Sequence, residues 1–118
     1  MKTKTLLAMI AVGGCLASCG STSTTKLYSW HGYEDAAYKY AKKATDEART
    51  RLLGEYAKMV ENQTATRATV PPGLLAEYGY LLISTGKRDE GLKMMKEEVA
   101  LYPESETYVG RIIKQLEK

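Results

Sequence analysis

The 118-residue chain is poor in the residues from which enzyme active sites and metal centres are usually built. It has one histidine, two cysteines, three prolines and no phenylalanine. It contains no G-x-S-x-G nucleophile motif, no H-E-x-x-H zinc motif and no glycine-rich phosphate loop. The sequence therefore predicts a protein that is not an enzyme, with no catalytic residue, no metal site and no cofactor.

The acidic residues do not supply an acid/base pair either. Glu34 and Asp35 are adjacent in sequence, as are Glu97 and Glu98, and adjacent side chains diverge on a helix. We expect these carboxylates to be solvated or to cap helices. His31 stands among aromatic residues, where a turn residue is a better interpretation than a general base.

The one long apolar run lies at the amino terminus. Lys2 and Lys4 precede an apolar stretch over residues 6–16 that ends in small residues, which is the layout of a secretory signal peptide. The stretch is too short to span a bilayer as a helix of the mature protein. The four residues 16–19, Leu-Ala-Ser-Cys, match the bacterial lipobox. Residues 1–18 are thus predicted to be a lipoprotein signal peptide and Cys19 the lipidated amino terminus.

Cleavage at this position leaves no free thiol and almost no net charge. Cys15 lies in the removed part, and Cys19 would carry lipid, so no disulfide or thiolate metal site is expected. The loss of Lys2 and Lys4 lowers the formal charge from +3 to +1. Without a clustered basic face the sequence predicts no nucleic-acid partner.

Residues 19–26 are predicted to tether the lipid to the folded domain, because the stretch from Gly20 to Lys26 has no apolar side chain to bury. Gly20, not an aspartate, follows the lipidated cysteine. In the enterobacterial sorting scheme this favours transfer to the outer membrane. We therefore expect a protein anchored by lipid to the outer membrane of a bacterial envelope and facing the periplasm.

Residues 27–118 show helical periodicity, and they are predicted to form one all-α domain of about five helices. Thr45 is placed to cap the second helix, and the pairs Asp46/Arg49 and Arg51/Glu55 have the spacing of surface ion pairs. The predicted segments are a first helix over 33–43, a second with an apolar stripe over 48–63, a loop over 62–69, a Pro-Pro-Gly entry at 71–73, a helical hairpin over 74–105 and a closing helix after Pro103. The closing helix is expected to bury an apolar stripe, formed by Tyr108, Val109, Ile112, Ile113 and Leu116.

The hairpin over residues 74–105 is the most strongly patterned part of the chain. One apolar stripe is formed by Leu75, Tyr78, Leu82 and Ile83, and a second by Leu92, Met95, Val99 and Tyr102. Between them, Gly86 can end the first helix in a left-handed conformation, and Asp89 can favour the start of the second. The two helices are therefore expected to pack against each other as an antiparallel pair.

This hairpin resembles a tetratricopeptide repeat, whose pattern is W-x2-L-G-x2-Y, then A-x3-F, then P. Without gaps, only Gly79 and Pro103 are identities, while Gly91 takes the alanine position. Small residues at Gly79 and Gly91 would let the two helices approach closely. Glu98 departs from the pattern, since its position is usually small. A generic helical hairpin remains the alternative.

A second resemblance covers nearly the whole mature chain. The motifs are Y-x-W-x-G-Y-E-D at 28–35, V-P-P-G at 70–73 and L-Y-P-E-S at 101–105. They are similar to the small bacterial lipoprotein family known as domain of unknown function 4810. The resemblance implies an envelope lipoprotein often encoded beside a lipoprotein similar to the curli-secretion channel subunit. It implies no known activity.

Four residues are candidates for partner binding. In tetratricopeptide hairpins the first helix lines the concave face, and the pattern carries this role to Ala76, Tyr80 and Ile83. We therefore expect Tyr80 and Ile83 to be exposed unless the closing helix or the aromatic amino-terminal segment covers them. Trp30 is the fourth, because tryptophan and tyrosine dominate interface hot spots. The aromatic residues around Trp30 could equally fold back over the first hairpin.

The leading functional hypothesis is an envelope lipoprotein that acts as a protein-interaction or assembly module. The membrane, through Cys19, and other envelope proteins, among them a curli-channel-like lipoprotein, are the expected partners. One alternative is an activator of, or minor enzyme in, cell-wall metabolism, and another is a purely structural subunit. The sequence does not determine the oligomeric state.

Overall fold

The structure, a computed structural model, describes residues 25–118, and within them it has five α-helices and no strand. The helices are α1 (Tyr33–Lys42), α2 (Asp46–Glu61), α3 (Leu74–Ser84), α4 (Arg88–Leu101) and α5 (Glu106–Leu116), with a short 3-10 turn (Pro103–Ser105) before α5. The predicted all-α architecture of helical hairpins closed by a carboxyl-terminal helix is confirmed. The predicted signal peptide and Cys19 lie outside the described residues.

The first hairpin joins α1 and α2 through a three-residue connection. The Thr45 side chain accepts a hydrogen bond from the Ala48 amide at 3.2 Å, as a helix cap does. Arg49 pairs with Asp46 at 3.1 Å as predicted. The prediction of an Arg51–Glu55 pair is wrong: Arg51 instead reaches Asp35 on α1 at 2.8 Å. Packing of α1 against α2 brings a closer carboxylate to this guanidinium than the one on its own helix.

The second hairpin joins α3 and α4 at very short range. Gly86 has a φ of 90°, the left-handed conformation predicted for the end of the first helix. A β-carbon built on Gly79 would lie 2.5 Å from the carbonyl oxygen of Gly91. The two glycines therefore allow the helix backbones to touch, as the tetratricopeptide-like pattern requires.

The helix α3 is buried on two sides, because α2 packs on one and α4 with α5 on the other. A first core cluster joins Leu74, Leu75 and Leu81 of α3 to buried residues of α1 and α2. A second cluster is centred on Met95, Val109 and Ile113 of α4 and α5. None of the described helices is both long and apolar enough to cross a membrane.

The loop over residues 62–73 is fixed at both ends. Near its start, the Gln63 side chain accepts from the Ser29 amide and donates to the Ser29 carbonyl, each at 2.9 Å. Near its end, the Tyr102 hydroxyl donates to the carbonyl of Val70 at 2.5 Å. The loop thus carries the aromatic amino-terminal segment and sets where α3 begins.

Candidate functional site

A largely apolar groove of about 610 Å³ opens between α3, α4 and α5. We call it the α3–α5 groove. Its volume lies in the range of ligand-binding pockets. The residues of the three helices that line it are Ala76, Glu77 and Tyr80 from α3, Met95 and Glu98 from α4, and Tyr108, Val109 and Ile112 from α5, while Gly73 and Ser105 border it at the starts of α3 and α5.

Two strongly exposed tyrosines line this groove. Tyr80 of α3 is 67% exposed and Tyr108 of α5 is 74% exposed. An exposed aromatic ring carries a large apolar surface with a polar end, so it gains from being covered by a partner. Tyr80 was expected to be exposed from the repeat pattern. Tyr108 was assigned to the buried stripe of the closing helix, and this is wrong because α5 turns that residue outwards.

The structure separates the candidate partner-binding residues of the first hairpin helix. Ala76 and Tyr80 both line the α3–α5 groove. Ile83 does not: it is half-buried beside the second core cluster, and its side chain occupies the space above Gly91. The expectation of an exposed Ile83 beside Tyr80 is therefore wrong, because α4 approaches α3 closely enough to cover that residue.

Glu98 is the most unusual residue of the groove because it is a carboxylate with none of its surface exposed. Its Oε1 accepts a hydrogen bond from the Gly73 amide at 2.6 Å, and the Ser105 hydroxyl lies at 3.4 Å from the same atom. The amide belongs to the residue that caps α3, so the carboxylate stabilises that helix end. Its Oε2 is buried and has no hydrogen-bond partner among the described residues.

The second carboxylate of the groove, Glu77, is held by two tyrosines. Its Oε2 accepts hydrogen bonds from the hydroxyl of Tyr33 at 2.8 Å and from that of Tyr56 at 3.0 Å. Burial, together with the hydrogen bond to Glu77 and its negative charge, raises the pKa of Tyr33 to about 12. Burial and the same carboxylate also raise the pKa of Tyr56. Both tyrosines therefore stay protonated and act as donors at neutral pH.

The aromatic amino-terminal segment folds back on the first hairpin, one of the two arrangements considered from sequence. Trp30 packs against Tyr28 and Tyr33, with ring centroids 6.2 Å and 5.7 Å apart. The series continues from Tyr33 to Tyr56 at 5.5 Å. Trp30 keeps 38% of its surface exposed and does not line the groove.

Hydrogen bonds add to this anchoring. The Gly32 amide donates to Oε2 of Glu55 at 2.9 Å, and Lys58 donates to Oε1 of the same carboxylate at 2.9 Å. The bond from Lys58, with that from Gly32, holds the pKa of Glu55 below its usual value. His31 has a φ of 48° and donates from Nε2 to the carbonyl of Asn62 at 2.9 Å, which makes it a turn residue as expected.

The lining of the groove is suited to binding apolar groups. Its walls are largely apolar, and one oxygen of each carboxylate is engaged, Oε2 of Glu77 by tyrosine hydroxyls and Oε1 of Glu98 by a backbone amide. Residues 25–118 contain no group of three or more histidine, cysteine or carboxylate side chains placed to hold a metal ion. The groove can bury apolar side chains and accept a hydrogen-bond donor.

Comparison with known proteins identifies a family but no characterised relative. Residues 27–112 match the family described as "Domain of unknown function (DUF4810)". No curated protein and no solved structure has significant similarity to the chain. The matched range contains the aromatic segment, all of α1 to α4 and most of α5.

Proposed function

The chain belongs to the DUF4810 family, and we propose that it is a lipid-anchored protein-interaction module of the bacterial cell envelope. In this proposal the lipobox at residues 16–19 leads to acylation of Cys19, with the outer membrane as destination because Gly20 follows. The helical domain then presents the α3–α5 groove to the periplasm.

The observation that carries the proposal is the apolar groove lined by the exposed rings of Tyr80 and Tyr108. Interface hot spots are enriched in tyrosine, and their centres are apolar pockets from which water is excluded. An extended segment or helix of a partner could lie between the two rings and bury side chains against Met95 and Val109. The family resemblance suggests a curli-channel-like lipoprotein as the partner.

Site-specific photocrosslinking in the native envelope tests this proposal. A photoreactive phenylalanine analogue is placed at position 80, at position 108 or at the control position 38. Tyr38 is 65% exposed but lies on α1, outside the groove, so the three positions differ in location and not in accessibility. We expect one partner protein, identified by mass spectrometry, to crosslink from positions 80 and 108 and not from 38. Equal crosslinking from all three positions, or none, would refute the proposal.

The alternative role in cell-wall metabolism has one observation in its favour, because two carboxylates line the same groove. Glycoside hydrolases use such a pair. Here, however, the two carboxylates are in unlike surroundings: Glu98 is fully buried and accepts from the Gly73 amide, whereas Glu77 is exposed and accepts from two tyrosines. Release of soluble fragments from peptidoglycan by the purified wild-type protein, lost in the Glu77→Gln and Glu98→Gln variants, would favour this alternative.

A further inference from the structure

We infer that the α3–α5 groove receives a lysine side chain from an apolar segment of the partner protein, and that its ammonium group pairs with Oε2 of Glu98. The inference rests on the proposed function, because it specifies the chemistry of the partner at the same site. The observation behind it is a buried carboxylate oxygen that has no hydrogen-bond donor among the described residues. Glu98 is fully buried, yet only one of its two oxygens has a hydrogen-bond partner within residues 25–118.

A buried carboxylate oxygen without a donor is unfavourable, because it has lost water and gained nothing in exchange. This oxygen can pair with no cationic side chain among the described residues of the groove itself. Its lining holds two carboxylates, Glu77 and Glu98, and no lysine or arginine. Glu98 takes part in none of the ion pairs formed by the described residues. The charge that complements this groove is therefore positive.

The geometry favours an ammonium group over a guanidinium. Oε1 of Glu98 is committed to the Gly73 amide at 2.6 Å, so a single oxygen remains. Arginine binds best when its planar fork meets both oxygens of a carboxylate, whereas the ammonium of lysine needs only one. The lysine stem is four methylene groups long and can lie along apolar walls, which Met95, Val109 and Ile112 provide here.

Methionine-methyl NMR of the full chain tests the inference in phosphatidylcholine nanodiscs, whose head groups carry no N–H donor. The probe is the peptide acetyl-Leu-Lys-Leu-amide, compared with peptides in which norleucine or arginine replaces the lysine. Met95 lines the groove, so its methyl signal reports binding there. Met59 is fully buried in the other core cluster, and its methyl signal is the internal control.

We expect the lysine peptide to shift the Met95 signal saturably while the Met59 signal stays in place. Half-saturation should need a concentration about tenfold lower than for the norleucine or arginine peptide, because a charge-assisted hydrogen bond is then formed. In Glu98→Gln, checked for its fold by circular dichroism, the lysine peptide should lose this preference. The comparison of the three peptides on the wild-type chain stands even if the variant does not fold.

Equal binding of the three peptides, or no saturable shift of Met95 with the lysine peptide, would overturn the inference. A Met95 shift that depends on protein concentration alone would also overturn it, since a second copy of the chain would then be the occupant. The proposed function and the lysine inference can fail independently. If crosslinking from positions 80 and 108 persists unchanged in Glu98→Gln, the interaction module stands and the lysine inference is overturned. If the wild-type protein gives no crosslink from these positions, the proposed function itself fails.

Discussion

Gly79 and Gly91 face each other across the α3–α4 hairpin, with so little room that a β-carbon on Gly79 would lie 2.5 Å from the Gly91 carbonyl oxygen. The nearest atom is backbone, and Cγ of Met95 would also lie only 2.9 Å from that β-carbon. A substitution here cannot be relieved by a change of rotamer, and it must move one helix away from the other.

Gly79→Ala should therefore destabilise the protein by at least about 2 kcal/mol, although alanine is the better helix former. Gly54→Ala is the matched control. Gly54 lies within α2 and has no neighbouring atom within 4 Å of its missing β-carbon, so this change should stabilise by up to about 1 kcal/mol. Urea denaturation of both variants measures the difference. Similar effects of the two substitutions would contradict the close backbone approach.

Truncation of two buried residues of this hairpin, Leu82 of α3 and Met95 of α4, should also lower stability. Leu82 and Met95 are 4% and 1% exposed. Replacing either by alanine should cost roughly 2–5 kcal/mol, because the methylene groups are lost from a packed interior and leave a cavity. Lys93→Ala, on the exposed side of α4, is the control and should change stability by less than about 0.5 kcal/mol. If Met95→Ala lowered the free energy of unfolding no more than Lys93→Ala does, Met95 would not be a core residue.

The Tyr33–Glu77 contact predicts a loss of stability at alkaline pH. Burial and the Glu77 carboxylate raise the Tyr33 pKa from its ordinary 10.0 to about 12, so the folded state holds this proton more tightly than the unfolded state. The stabilisation is complete below pH 10, and it is lost as the pH rises from 10 to about 12. Glu77→Gln should shift the Tyr33 titration to lower pH, followed by NMR of ring-labelled tyrosine. Glu104→Gln, an exposed carboxylate elsewhere, controls for net charge.

The paired hydrogen bonds between the Ser29 backbone and the Gln63 side chain should hold the amino-terminal segment to the loop after α2. Gln63→Ala removes both hydrogen bonds to Ser29, of 2.9 Å each, together with a third from Nε2 of Gln63 to the Met59 carbonyl at 2.9 Å. Each is worth about 1 kcal/mol, so the Ser29 amide should exchange with deuterium roughly tenfold faster or more. Exchange in α3 should not change. Gln115→Ala, the same substitution at an exposed position of α5, should leave Ser29 protected.

Membrane attachment depends on Cys19 in our proposal. Cys19→Ala should abolish labelling by an alkynyl fatty acid and move the protein out of the membrane fraction or leave an uncleaved precursor. A multiply acylated cysteine anchors a protein stably, whereas one acyl chain holds it only marginally. Cys15→Ala is the matched control and should still be labelled, because it lies within the predicted signal peptide. An unlabelled wild-type protein would end the lipoprotein interpretation.

Much of the fold could be predicted because the signals are local. Thr45 caps α2, Gly86 adopts the left-handed conformation, and apolar spacing marks each helix. The same local reasoning failed where packing of another helix determines whether a residue is buried. Leu74 and Leu81 were missing from the predicted core because a single stripe was assigned to α3, whereas α2 buries a second side of it. The exposure expected for Ile83 failed for the same reason, since α4 covers it.

Only some of the residues that line the groove could be predicted from the sequence. The repeat pattern placed Ala76 and Tyr80 correctly, since it encodes the concave side of the first helix. Glu98 stood out as a departure from the pattern, but its pairing with Gly73 spans 25 residues and cannot be read from spacing. Tyr108 fits the apolar stripe of α5 by periodicity, and only the packing of α5 shows that it points outwards.

The attachment of the amino-terminal segment has a mechanical consequence. Tension applied at Lys26 would first load the backbone hydrogen bonds from the amides of Thr66 and Arg67 to the carbonyls of Lys26 and Leu27. It would next load the hydrogen bonds that tie Ser29, His31 and Gly32 to the loop after α2 and to α2 itself. Beyond them, force would reach α3 through the hydroxyls of Tyr33 and Tyr56 on the carboxylate of Glu77, which also lines the groove. A pull on the amino-terminal end and the occupancy of the groove would thus act on the same side chain.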